Sequence, residues 1–295
     1  LNVIIKKETV MSQNPPSFPV LSRSQRLHLE VYGYVILRKL ISKNEVEAIK
    51  STLYEMEANF ERTGELPGRN CFNTSTTKDF YRIDNLPHLA PAFFDYLTHP
   101  SIVGMAEEIV GGPVRLQQSD AHIRRPISKS REDEPFSGYR FHRGINPAYH
   151  HYEKGLYHFS FIKALTNLTD LGPEDGGTTV IAGTHKIPQD VPQEDVVKAA
   201  LDDPKMIHQV EAPAGSTLLF YESLIHAAGI IRSDKDRLLI LGGYMPTMFQ
   251  AWSGYDPDMD FVKGLNQKNR ELLTGANKFD WPRRSRDLGI ISNTD

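Results

Sequence analysis

The sequence predicts an all-β core of sandwich or jelly-roll type, with α-helices flanking it on the N-terminal side. Three observations carry that expectation. From Val114 onward, short apolar segments recur between turns such as Gly172-Pro-Glu-Asp-Gly-Gly and Ala212-Pro-Ala-Gly. Before Val114, apolar residues fall at helical spacing instead. No internal repeat, linker or low-complexity stretch divides the chain, so residues 25–295 read as a single domain behind a flexible extension, 1–24.

The elements follow in order. Ser22 to Arg26 opens a short polar helix, and Tyr32-Gly-Tyr-Val-Ile-Leu37 reads as a strand entered through a glycine turn. Ser42-x-x-Glu45 is a capping box. Behind it, Val46, Ile49, Leu53 and Met56 share one face of a helix over 43–60. Residues 61–78 have loop composition. A second helix, Ser101 to Val110, is stopped by Gly111-Gly112-Pro113. Val114 to Arg124 alternates as a strand. Tyr157 to Leu168, Thr178 to Ala182, Ser216 to Tyr221 and Leu238 to Tyr244 are the further strands. Residues 186–206 form a surface excursion with a short helix, Gln193 to Leu201. The tail from 250 is polar, with one helical stretch near Asp258 to Leu273.

Composition excludes several classes of function. With 34 basic and 37 acidic residues in 295, the chain has no global pull on nucleic acid or on membrane surfaces. No apolar run approaches the length that spans a bilayer. Cys71 is the only cysteine, which rules out a disulfide framework and a CxxC zinc site. Leu1 to Val10 lacks a secretory apolar region, so a reducing cytoplasm is the default location.

The candidate chemistry lies on three residues. His142 sits in Gly138-Tyr-Arg-Phe-His-Arg-Gly144, His226 follows the strand Thr217-Leu-Leu-Phe-Tyr, and Arg237 opens Leu238-Leu-Ile-Leu. Two histidines from separate strands can converge inside a jelly roll, with an arginine deeper in the barrel holding a carboxylate by parallel hydrogen bonds. A non-haem iron site for a chelating keto acid needs that arrangement.

At these residues the chain resembles the phytanoyl-CoA dioxygenase-like branch of the Fe(II)/2-oxoglutarate oxygenases, over roughly residues 25–250. The resemblance rests on Tyr32 to Leu37, Gln118-Ser-Asp-Ala-His-Ile-Arg124, Phe141-His-Arg-Gly144, Leu165 to Lys186, and His226 with Arg237. Asp175-Gly-Gly with Ala-Gly-Thr-His-Lys186 is its most characteristic part. It implies a double-stranded β-helix (jelly roll, cupin-like), with Fe(II) and 2-oxoglutarate as cofactors and O2 as cosubstrate. It also implies that His142 and His226 are metal ligands, that Arg237 binds the far carboxylate of 2-oxoglutarate and that Gln118 contacts the same cosubstrate. Residues 118, 120, 122 and 124 of a strand point one way, so His122 and Arg124 are expected in the pocket beside Gln118. Phe141, in the ligand segment, is expected at the substrate.

One departure directs the reading. The family's motif is His-x-Asp/Glu, and here the carboxylate position is Gly144, which cannot ligate. In the iron halogenases that position is Ala or Gly, and chloride fills the vacancy as ligand and charge. The expectation is therefore chlorination of an unactivated C–H bond in a small molecule, with chloride as a further cofactor. Two alternatives stand beside it: hydroxylation, with Glu153 or water completing the iron shell, and a non-catalytic binding relative. His151-x-Glu153 competes with His142 for the metal, and Arg232 with Arg237 for the carboxylate. The cluster of His150, His151 and His158 lacks the HExxH of a zinc hydrolase. Arg124, Arg125, Lys129, Arg131, Arg140 and Arg143, set against Glu132, Asp133 and Glu134, read either as a basic edge suited to an anionic substrate or as a solvated loop.

Overall fold

In the computed structural model, which describes residues 20–67, 77, 79–126, 136, 138–144, 151–153, 156–158, 161–188 and 190–275, the chain is already packed at its first described residues. Leu21 is buried, and the amides of Val20 and Leu21 donate to the Glu108 carboxylate at 2.6 and 3.1 Å. Residues 20–24, expected to belong to a flexible extension, are thus part of the packed body.

Helices α1 (Arg23–Tyr32) and α2 (Lys43–Thr63) start alike. Ser22 and Ser42 accept from the amides of Gln25 and Glu45, whose side chains return to the serine amides. Each ends on a glycine in the left-handed region, Gly33 at φ +84° and Gly64 at φ +74°. Tyr32, expected to open a strand, is instead the last residue of α1, and β1 (Tyr34–Leu37) starts past the Gly33 cap. Helices α3 (Pro91–Leu97) and α4 (Pro100–Val110) both begin on a proline, whose missing N–H is not needed there. The tail folds as two helices rather than one, α6 (Met259–Lys263) and α7 (Gln267–Thr274), after α5 (Gln193–Asp202) in the excursion.

The strands are β2 (Phe80–Asp84), β3 (Val114–Arg124), β4 (His151–Glu153), β5 (Leu156–His158), β6 (Ile162–Asn167), β7 (Thr179–Ile181), β8 (Ile207–Gln209), β9 (Thr217–Tyr221), β10 (His226–Ala227) and β11 (Arg237–Pro246). The larger sheet runs β1-β9-β6-β11-β3-β2 and the smaller one β10-β7-β8, all antiparallel. His142 extends the smaller sheet, exchanging two 2.9 Å backbone hydrogen bonds with His226. β4 and β5 form their own ladder, so the segment expected as one strand from Tyr157 to Leu168 is divided. Two facing antiparallel sheets flanked by helices make the expected jelly roll.

Period-two burial assigns the faces of the large sheet. Leu238 and Ile240 of β11, Ala121 and Ile123 of β3, and Leu219 and Tyr221 of β9 pack with Leu29, Ile49, Leu53, Phe93 and Ile102 of the helices. The residues between them, Leu239, Leu165, Leu218 and Phe220, pack inward with Val180, Leu171 and Val210. In β3 the pattern changes phase. Val114 and Leu116 also face the helices, because the register shifts between Gly243 and Tyr244 and leaves Gln117 as an extra residue. That bulge turns Gln118 inward. Among the described residues, no helix is long and apolar enough to cross a membrane.

Candidate active site

A cavity of about 390 Å3 opens between the sheets. Its large-sheet wall carries Gln118, Asp120, His122 and Arg124 of β3, Lys163 of β6, and Arg237, Leu239 and Leu241 of β11. His142, Gly144, Thr178, Glu222 and His226 complete it. The inward face expected for β3 thus lines the cavity from residue 118 to residue 124.

The two histidines stand side by side, with ring centroids 4.4 Å apart. Backbone pairing holds their main chains together, and each ring is then oriented by a carbonyl two residues earlier. Nδ1 of His142 lies 2.9 Å from the Arg140 carbonyl, and Nδ1 of His226 lies 2.8 Å from that of Leu224. A carbonyl only accepts, so each Nδ1 carries a proton and Nε2 is the nitrogen left for another partner. Metal-binding imidazoles are oriented in this way. Burial, with His142 as the next cause, pushes His226 down to about 3, so its ring is neutral at ordinary pH. These two residues fit a metal ion.

Farther along the large sheet lies a cationic end. Arg237 is 1% exposed, and its register partner on β3 is Arg124. Its two amino groups donate to the Gly176 carbonyl and the Thr178 hydroxyl, each at 2.7 Å, while Nε is buried with no hydrogen-bond partner. A guanidinium carries five N–H donors, so these two bonds fix the group and leave others for a carboxylate. The Asp175-Gly-Gly-Thr178 motif thereby acquires a physical reason. A β-carbon on Gly176 would press on Ile231, and one on Gly177 would overlap the Val210 carbonyl, so the pair lets the chain pass close enough to reach Arg237. Burial, and then Arg124, brings Arg237 down to about 9; burial and then Arg82 brings Arg124 to about 10. His122 sits among the three guanidiniums, held far below its ordinary value first by burial, and neither ring nitrogen has a partner.

A polar chain joins the two ends. Lys163 donates to Gln118, whose amide donates to Asp120. Asp120 also accepts from Tyr255 and pairs with Arg82 at 3.2 Å. Tyr255 and Trp252 come from the segment after β11, and the Lys163 ammonium lies 5.0 Å from the Trp252 ring centroid. Part of the tail, whose role the sequence left open, therefore builds the cavity.

Beside His142, Gly144 donates its amide to the Glu222 carbonyl at 3.0 Å. A β-carbon built on Gly144 would fall on the Glu222 carboxyl group and lie 2.8 Å from its Cγ. Glu222 is buried; Oε1 is 3.5 Å from the Lys163 ammonium, and Oε2 is buried with no hydrogen-bond partner. Burial pushes its carboxyl up, against the opposing pull of Lys163.

Not every expected site residue is in the cavity. Phe141 is a correction: its ring packs outward with Ile181, Ile207 and Val197 and stacks on Tyr139, because it alternates with the inward-facing His142. Arg232 is exposed in its turn, which leaves Arg237 as the buried guanidinium. His185 packs on Tyr221 and over Gly33, with Nε2 3.2 Å from the Glu30 carbonyl, as a structural residue. His150 and the side chains of His151, Glu153 and His158 lie outside the described residues. Glu222, Lys163, Thr178 and Arg82 were missed. A signal for two of them existed, since Lys163 lies inside the largely apolar run Ile162-Lys-Ala-Leu and Glu222 directly follows Leu218-Leu-Phe-Tyr, where a charge is rarely buried without a partner.

Comparison with known proteins bears on the family and the fold. The family described as phytanoyl-CoA dioxygenase (PhyH) matches residues 29–239. Dioxygenase af480 of Aspergillus fumigatus is 26% identical over 257 residues, covering 83% of this chain and 74% of the relative. HygX of Streptomyces hygroscopicus, solved with nickel and 2-oxoglutarate bound, is 22% identical, covers 79% of this chain and 90% of its own, and superposes at a TM-score of 0.59. The 2-oxoglutarate-dependent carbocyclase SnoK from nogalamycin biosynthesis is 21% identical, with 79% and 87% coverage and a TM-score of 0.57. The two structural likenesses show the shared fold.

Proposed function

Because this chain belongs to the phytanoyl-CoA dioxygenase family, we propose that it is an Fe(II)- and 2-oxoglutarate-dependent oxygenase acting on an unactivated C–H bond of a small molecule. The observation that carries this reading is the pair of Nδ1-tethered histidines, His142 and His226, in one cavity with the buried Arg237.

Each residue has a task. Nε2 of His142 and of His226 would hold the metal. Arg237, fixed by Gly176 and Thr178, receives the far carboxylate of 2-oxoglutarate, and Arg124 adds charge beside it. Cations outnumber carboxylates among the lining residues, with Arg82, Arg124, Arg143, Lys163 and Arg237 against Asp120 and Glu222, which suits a dianionic cosubstrate. His122 and Gln118 stand on the same wall. When bound, iron would activate O2 at the expense of 2-oxoglutarate and remove a hydrogen from the substrate. Leu165, Leu239, Leu241 and Phe220 give that reaction apolar walls that limit water. HygX, with the same fold, has been solved with iron bound and with hygromycin B bound, a small-molecule ligand.

Chlorination requires room for chloride beside Gly144. The Glu222 carboxyl group stands there, which favours transfer of oxygen over transfer of chlorine. Fe(II)-reconstituted protein supplied with O2 and 2-oxoglutarate should release succinate by slow uncoupled turnover. That release should stop on chelation and be the same in chloride and in acetate buffers. Absence of succinate at saturating Fe(II), with the protein folded, would return the chain to the class of non-catalytic binders.

A further inference from the structure

We propose that Glu222 supplies the metal-site carboxylate that Gly144 cannot, so that the ion is held by His142, His226 and a carboxylate from the turn between β9 and β10. This assignment rests on the iron reading above and completes it.

Position is the first argument. In a His-x-Asp motif the carboxylate would grow from residue 144. Here its β-carbon position is taken by the Glu222 carboxyl group, delivered from a neighbouring backbone that is hydrogen-bonded to Gly144 itself. Glycine at 144 and glutamate at 222 are therefore one device: either side chain would exclude the other.

Unmet bonding is the second. Burying a carboxylate is costly unless good pairing offsets the lost hydration. Among the described residues, the cation paired with the Glu222 carboxylate is Lys163 at 3.5 Å, and that ammonium already serves Gln118. Oε2 has no hydrogen-bond partner. As a purely structural ion pair this is poorly made. As a ligand, the same carboxylate would meet a divalent cation held by two neutral imidazoles, which lack any negative charge of their own. Among the described residues, no three His, Cys, Asp or Glu side chains already stand around one point. Glu222 must accordingly turn from Lys163 toward the histidines as the ion enters, and Lys163 is then free to face an anion.

The test is anaerobic titration of the full chain with Co(II), read by its ligand-field absorption, and with Fe(II) plus 2-oxoglutarate. Wild type should take up one ion. Glu222→Gln, close to isosteric, should weaken uptake at least ~10-fold. Gly144→Asp alone should bind no better than wild type, because the new side chain runs into Glu222. The double variant Gly144→Asp/Glu222→Ala should recover affinity to within about threefold of wild type. Chloride should leave the wild-type Fe(II)–2-oxoglutarate absorption unchanged and shift that of Glu222→Ala, where the position is opened.

Wild-type affinity in Glu222→Gln overturns the assignment, and if His226→Ala still loses the ion the iron reading survives that failure. Loss in Glu222→Gln without recovery in the double variant makes the role of Glu222 structural and also overturns it. A chloride shift in the wild type does the same, since the position would then be open. No uptake by the wild type removes both readings together.

Discussion

Replacing His226 with alanine should lower affinity for Fe(II) by at least ~100-fold and reduce 2-oxoglutarate turnover to background. The size of the effect follows from how few ligands the described residues offer. His142 and His226 are one hydrogen-bonded pair across the edge of the small sheet, with rings 4.4 Å apart, so removing one leaves a single imidazole. The ring of His226 is held by the Leu224 carbonyl and packs edge-on against Phe220 at 4.8 Å, so it arrives in the right tautomer without reorganisation. Alanine also strips the Leu224 carbonyl of its donor, at a cost of about 1–3 kcal/mol in stability. Thermal unfolding of the variant separates that cost from the loss of metal. A variant that keeps both its fold and wild-type metal affinity would remove His226 from the site.

Arg237→Gln should act at the other end and differently. The Kd for 2-oxoglutarate should rise ~100-fold or more, while affinity for Fe(II) in its absence stays within about twofold of wild type. Two features make the effect large. The guanidinium is buried beside Arg124, where water cannot replace it, and it is pre-oriented by Gly176 and Thr178. Lysine should rescue poorly, because a single ammonium cannot hold the Gly176 carbonyl, the Thr178 hydroxyl and both carboxylate oxygens. Calorimetric titration in the presence of Ni(II), a redox-inert substitute, reads the two affinities separately. An unchanged Kd for 2-oxoglutarate would move the anchor to Arg124.

Much of this was legible in the sequence, and the reasons are physical. Ser42-x-x-Glu45 before an apolar stripe can do little other than cap α2, and the glycines after α1 and α4 can do little other than end helices. Polar residues at 118, 120, 122 and 124 alternating with Ala121 and Ile123 announce a strand with one wet face. What failed was information that lies between segments. The bulge at Gln117 appears only when β3 is laid against β11. Phe141 looked like a substrate residue because aromatic character marks burial, not the side of the strand it is buried on. Gly144 looked like a vacancy because the residue filling it comes from a distant part of the chain. No local pattern links 144 to 222; the pairing of His142 with His226 and the hydrogen bond from the Gly144 amide to the Glu222 carbonyl bring them together. The missed β2 and α3 do carry their periods, Tyr81 and Ile83 alternating and Phe93, Tyr96 and Leu97 at helical spacing, but over segments too short to stand out in the sequence.

The most direct test of the account is anaerobic titration of the Fe(II)-loaded protein with 2-oxoglutarate, followed in the visible range. A charge-transfer band that saturates at one 2-oxoglutarate per chain, is absent in His226→Ala and requires far more 2-oxoglutarate in Arg237→Gln is the expected result. It would locate metal and cosubstrate on the residues assigned here. Failure of any band to form at saturating Fe(II) and 2-oxoglutarate, in protein that remains folded, would contradict the account at its centre.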